Sequence, residues 1–212
     1  PSGPAAALAH STQASFLRQL GWHSLARGWD GRAAVLAGTD REAAADALIG
    51  LAADALGVGR FNACATLLAR SAEVVVVPEV ATTPAHRPAI RRAWVTAELA
   101  MATGDGATAV RQAERAAELA TEPGAAGSAR HRVKSDLVLA GALCCAGSIE
   151  KARTVGDAAL DATGRLGLVP LRWALACLLA DIGSATMTVP EARSIRDSSA
   201  ELVRRRGGSW RH

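Results

Sequence analysis

Apolar residues return along this chain every three or four positions, the spacing of one face of an α-helix. Leu17 and Leu20, Leu48 with Leu51 and Ala52, Ala93-Trp94 with Ala97, Ala109 with Ala113 and Ala116, and Leu139-Ala140 all follow it. The pattern predicts helices over 11–27, 30–39, 41–57, 60–73, 86–103, 106–121, 127–146, 149–164, 169–182 and 190–206. Asp40, Ser148 and Thr188-Val189-Pro190 read as helix entries, the last with proline in the first turn. Val74-Val75-Val76-Val77-Pro78 through Pro88 reads as a helix end followed by an extended linker, and Thr121-Glu122-Pro123-Gly124 as a second loop.

Glycines punctuate this pattern. Gly28, Gly59, Gly104, Gly147 and Gly183 each divide one Ala/Leu-rich segment from the next, at spacings of 31, 45, 43 and 36 residues. Glycine beside a helix end accepts the left-handed backbone that closes the helix. Small residues after it let the second helix approach the first. Such a pair cannot bury its apolar face alone, so neighbouring pairs must stack. The expected fold is all-α, an α-solenoid of about five antiparallel helix pairs. It would form one helical-repeat domain over 11–206, between an irregular N-terminal segment (1–10) and a C-terminal tail (207–212). Helix 190–206 is polar enough to cap the stack.

Composition narrows this further. Alanine supplies 49 of 212 residues, and it is the strongest helix former. Outside the valine run, strand formers are sparse, which excludes a sandwich or barrel. The net charge of +4 comes from 24 basic and 20 acidic residues, mostly interspersed as on solvated helix faces. That argues against direct nucleic-acid binding, which needs a basic stripe. The basic end, Arg204-Arg205-Arg206 to Arg211, reads as a frayed terminus. Cys64, Cys144, Cys145 and Cys177 form no CxxC pair and read as small buried hydrophobes. No apolar run is long enough to span a bilayer, and no secretory signal pattern opens the chain. Cytoplasm is the expected compartment, and a start at Pro1 leaves room for sequence upstream.

The Leu-Gly and turn-Gly spacing resembles the tetratricopeptide repeat. Leu17, Leu20, Gly21, Gly28 and Ala33 carry the resemblance in the first unit. Leu48, Leu51, Ala52, Gly59 and Phe61 carry it in the second, and Leu139, Ala140, Gly147, Ile149, Ala152 and Ala159 in the fourth. Alanine stands at most of the family's Tyr positions, its closing Pro is mostly missing, and two spacings exceed the family's repeat of about 34 residues. In these departures the chain is similar to divergent repeats in the regulatory regions of large bacterial transcription regulators. The stretch from Arg130 and Lys134-Ser135-Asp136-Leu137 to Ala159-Leu160 is similar to sensor regions of actinobacterial helix-turn-helix regulators. The tetratricopeptide resemblance implies a right-handed superhelix whose first helices line a concave groove. It places Arg18, Trp22, Arg91, Trp94, Glu98, Lys134 and Trp173 on or near that groove as partner-binding residues. Each Trp has a competing role as the large packing residue of its repeat. The Asn and Lys of the family's two-carboxylate clamp are largely absent, so a chaperone tail is not expected.

No catalytic or metal constellation emerges. His23 and His131 lack a second ligand at helical spacing, and Ser135 and Ser194 lack a nucleophile motif. Gly57-Val58-Gly59-Arg60 and Gly104-Asp105-Gly106 read as helix–helix turns without the strand a phosphate loop needs. The expected function is non-enzymatic: a protein–protein interaction module that holds a partner peptide or helix in the groove, with no cofactor. The alternative is the region of a transcription regulator that senses a small-molecule or peptide effector, its DNA-binding domain lying outside this chain. A homodimer through an exposed solenoid end is a further expectation.

Overall fold

The computed structural model describes residues 2–74, 86–122 and 128–211. Among them are ten helices and no strand: α1 (Pro4–Gln19), α2 (His23–Leu36), α3 (Arg41–Gly57), α4 (Phe61–Val74), α5 (His86–Ala102), α6 (Gly106–Thr121), α7 (Ala129–Cys145), α8 (Ile149–Leu166), α9 (Val169–Ile182) and α10 (Val189–Arg205). Consecutive helices pack as antiparallel pairs, and the odd-numbered helices also pack on one another in series. The chain is thus an all-α solenoid of five pairs with its odd helices on the inner side. No helix of the described residues is long and apolar enough to cross a membrane.

One hydrogen-bond motif makes four of the five turns. The N–H of Trp22, Arg60, Asp105 and Ser148 donates five residues back, to the carbonyls of Leu17, Ala55, Ala100 and Leu143, at 2.8–3.0 Å. These are Schellman closures, which leave the preceding residue left-handed. That residue is Gly21, Gly59, Gly104 and Gly147 in turn, with φ between +75° and +86°. The first pair therefore turns at Gly21 and not at Gly28, which lies inside α2. Both glycines follow apolar residues at helical spacing, and only Gly21 has the Leu17 carbonyl within reach to close the helix. Helix entries follow local chemistry as expected. Asp40 accepts from the Ala43 N–H at 2.8 Å, and Thr188 and Glu191 form a reciprocal capping box with Pro190 beside it. Ser148 is an N-cap by position but makes no side-chain bond there.

Alanines fill the pair interfaces. Ala109, Ala113 and Ala116 of α6 are fully buried against Ile90, Trp94 and Ala97 of α5. The last pair closes over Leu160, Leu175 and Leu179. Methyl-sized side chains bring the helix backbones close, so scattered larger residues suffice to fill each layer.

Both chain ends depart from expectation. Residues 4–10, expected to be irregular, form the first turns of α1, with Pro4 at its entry. The tail does not fray. Gly208 N–H closes on the Val203 carbonyl and sends the chain back toward the first helix pair, where Arg211 N–H donates to the Leu20 carbonyl at 2.9 Å. Trp22 Nε1 donates to the Ser209 carbonyl at 2.7 Å. Trp210 stacks on Trp173 at 4.3 Å between ring centroids. Once Gly207-Gly208 permits the reversal, two aromatic contacts and paired backbone groups outweigh solvation of this short basic segment. The first and last pairs are thereby latched together. Replacing Trp210 with Ala should lower stability by about 1–2 kcal/mol, the scale of a half-buried aromatic pair, and shift tryptophan emission to the red. An unchanged melting midpoint and emission maximum would show that the latch does not form in solution.

Cys64 is buried as expected, but Cys144 and Cys177 are only half-buried and Cys145 is exposed. It occupies the last position of α7, where the apolar face has already turned past the neighbouring helices. The extended linker expected after Val74 lies largely outside the described residues, as does Pro123-Gly124 of the second loop.

Candidate functional site

The inner helices converge on one cavity of about 340 Å³. Its wall comes from the C-terminal turns of α1 and α3, the start of α2, α5 from Arg87 to Glu98, and the N-terminal halves of α7 and α9. Of the seven residues placed on the groove from sequence, six line it: Arg18, Arg91, Trp94, Glu98, Lys134 and Trp173. Trp22 does not. It sits at the α1–α2 turn and holds the C-terminal segment through Ser209.

Trp94 is the floor. It is 6% exposed, and its Nε1 donates to Ser135 Oγ at 2.8 Å, which in turn donates to the Ala116 carbonyl at 3.2 Å. His131 lies against the same ring at 5.5 Å and the Lys134 ammonium stands 5.9 Å over it. Lys134 also pairs with Glu98 at 2.7 Å, both side chains partly open to solvent. Trp173 is half-buried and presents its ring between the cavity and Trp210. The packing role of a tryptophan thus belongs to Trp94, while Trp173 keeps part of its ring open to the cavity.

Behind one end of the cavity is a buried ionic cluster. One Nη1 of Arg18 donates to Asp30 Oδ2 at 2.8 Å and Asp54 Oδ1 at 2.6 Å, and to the Gly50 carbonyl at 3.1 Å. Both aspartates are fully buried. Two carboxylates against one guanidinium leave a net charge of −1. Burial therefore pushes the Asp30 carboxyl up to about 6, against the pull of Arg18 and Arg91, with Asp54 adding repulsion. Proton uptake by Asp30 makes the cluster neutral. His23 extends it, with Nδ1 3.6 Å from Asp54 Oδ1. The α3 backbone accommodates this through two glycines. A Cβ on Gly50 would lie 2.3 Å from the Asp30 carboxylate, and one on Gly57 would lie 2.3 Å from the His23 ring.

The other end is positive. Asp46 of α3 is fully buried and pairs with Arg91 and, at 3.1 Å, with Arg87. Arg130 points into the same cavity. Burial and repulsion from Arg91 and Arg87 lower its pKa. His131 feels burial first and then Arg87, Arg130 and Arg91, which together push it down to about 4, so the ring is neutral at pH 7.

Sequence reasoning passed over Asp30, Asp46 and Asp54, and it did not place Arg87 or Arg130 on the site. A signal existed for two of the acids. Asp46 and Asp54 are eight residues apart on α3, in an otherwise apolar run with Ala43, Ala47 and Ala55 buried beside them. A carboxylate on a buried face requires a cation facing it, but not the helix that supplies it.

No group of three or more His, Cys, Asp or Glu side chains poised for a metal ion occurs among the described residues. Comparison with known protein families, with curated proteins and with solved structures finds no match.

Proposed function

We propose that this protein is a non-enzymatic binding module that holds a short peptide segment in the cavity on the inner side of its solenoid. The observation that supports this reading is the convergence of five inner helices on one cavity. Its wall combines an open aromatic ring, Trp173, with charged groups of both signs. Aromatic and arginine side chains are the types that most often anchor interfaces. The Lys134–Glu98 pair supplies a donor and an acceptor at mid-wall, and Leu137 and Leu171 supply apolar contact. The tetratricopeptide resemblance stands behind the same reading, since that family receives its partners on its inner helices.

A peptide library displayed on phage and selected on the whole chain tests this. Selected peptides should bind Trp173→Ala at least tenfold more weakly. Trp210→Ala, which breaks the same ring stack but leaves Trp173 in the cavity wall, should retain them. Equal binding to the native chain and Trp173→Ala would overturn the assignment.

A second reading rests on the volume. A cavity of about 340 Å³ is within the range of small-ligand sites, and the latched C-terminus keeps the first and last pairs from opening apart. A small effector held there would stabilise the fold by mass action, the behaviour expected of the sensing region of a transcription regulator.

A further inference from the structure

Charge in the cavity is unevenly matched. Arg87, Arg91 and Arg130 bring three positive charges to one end, against the single carboxylate of Asp46. Arg130 makes no ion pair and no side-chain hydrogen bond among the described residues. Lys134 and Glu98 cancel each other. The Arg18 cluster lies at the other end, where two aspartates already over-match it. The arginine end therefore has two more cations than carboxylates of its own, offset only at longer range by Asp30, which interacts with Arg91, in a partly enclosed space where like charges repel. Arg87 and Arg130 are partly open to solvent, so an anion can reach this surplus and relieve the repulsion.

We infer that the Arg87–Arg91–Arg130 end of the cavity is a binding site for a doubly charged oxyanion, of the phosphate-ester type. A single carboxylate would leave one positive charge unmatched, whereas a phosphoryl group carries about −1.5 to −2 at pH 7 and offers acceptors to more than one guanidinium. Arginine's planar fork suits phosphate oxygens. His131 stands beside the arginines, and burial first and their repulsion second hold its ring neutral. A bound dianion reverses that field, so the ring becomes a second donor and its titration reports occupancy. The group could arrive on a phosphorylated peptide side chain or as a free phosphate ester. The first source rests on the peptide-binding reading above, and the second does not.

The test uses the whole chain and His131 ring resonances, with phosphate and sulfate as probes against acetate and chloride at matched ionic strength. Sulfate, still a dianion where His131 titrates, should raise the His131 midpoint from about 4 by at least one unit, and at pH 7.5 both phosphate and sulfate should raise the melting midpoint. Acetate and chloride should do neither. Arg130→Met breaks no ion pair, so its circular dichroism should match the native chain. It should weaken the phosphate response at least tenfold. The same response to acetate, or an undiminished response in Arg130→Met, would overturn the site. A phosphoserine heptapeptide and free O-phosphoserine separate the sources. Tighter binding of the peptide supports both this site and the peptide reading. Equal affinity keeps the anion site and counts against the peptide reading.

Discussion

Replacing Arg18 with Met should destabilise the protein by about 3–5 kcal/mol at pH 7.5, because it strands two buried carboxylates. At the usual sensitivity of a chain this long, that is a fall in melting midpoint of roughly 10 °C. The loss should also depend on pH with a defined sign. In the native chain Asp30 has a folded pKa of about 6, above its ordinary 3.8. The folded state therefore holds a proton between pH 4 and 6 that the unfolded chain releases. From this group alone, stability rises as pH falls through 6 toward 4. Without Arg18 the pull that keeps Asp30 ionised is gone, so its protonation moves to higher pH. The deficit of the variant should then shrink between pH 7.5 and 5.5. Adding Asp30→Asn and Asp54→Asn to Arg18→Met should recover much of the loss at pH 7.5, since a neutral cluster replaces unpaired charge. Urea titrations at the two pH values check both statements. A cost under about 1 kcal/mol, or a deficit that does not change with pH, would show that the cluster is solvated and not a stability element.

Trp94→Ala should cost a similar amount, about 3–5 kcal/mol, by leaving a cavity the size of an indole in the largest core cluster. Read from sequence as a groove contact, Trp94 would be a residue to remove without unfolding the chain. Its 6% exposure and its bond to Ser135 make it structural as well. Trp94→Phe separates the two contributions. It keeps most of the apolar contact and removes the bond Ser135 Oγ accepts, while its donation to the Ala116 carbonyl remains, at about 1 kcal/mol. Pairing it with Ser135→Ala should recover part of that. Chemical denaturation of the four proteins closes the cycle. A Trp94→Ala variant as stable as the native chain would mean that the ring is not packed as described. For the same reason, tests of binding belong on Trp173, Lys134 and Arg130, whose removal leaves the core intact.

Local periodicity carried the helices well because each rests on its own neighbours. Ala-rich apolar faces, a capping Asp or Thr, and a glycine where the chain reverses all act within a few residues. Eight of the ten helices accordingly appear within about two residues of where the pattern places them. The first two fail where two glycines compete for one turn. Gly21 and Gly28 look alike in sequence, and the choice between them depends on which helix end can close on its own carbonyls. The positions on α1, α5, α7 and α9 that line the cavity share a side for a similar reason. A repeat puts equivalent positions of successive inner helices on one side.

What needed the tertiary structure is everything that joins residues distant in sequence. Asp30, Asp54 and Arg18 are acids and a base on three helices; the apolar run around Asp54 marks it as buried, but nothing local names Arg18 and Asp30 as its companions. Arg130 becomes half of an unmatched positive end only when α7 is laid beside α5. The C-terminal segment reads as a frayed basic tail until Trp22, Trp173 and Leu20 are seen to wait for it at the far side of the chain. Propensity, capping and turn glycines act within a few residues, so sequence by itself determines where the helices run and that they pair. Electrostatics and latching depend on distances across the superhelix, and only the stacking of all five pairs sets those.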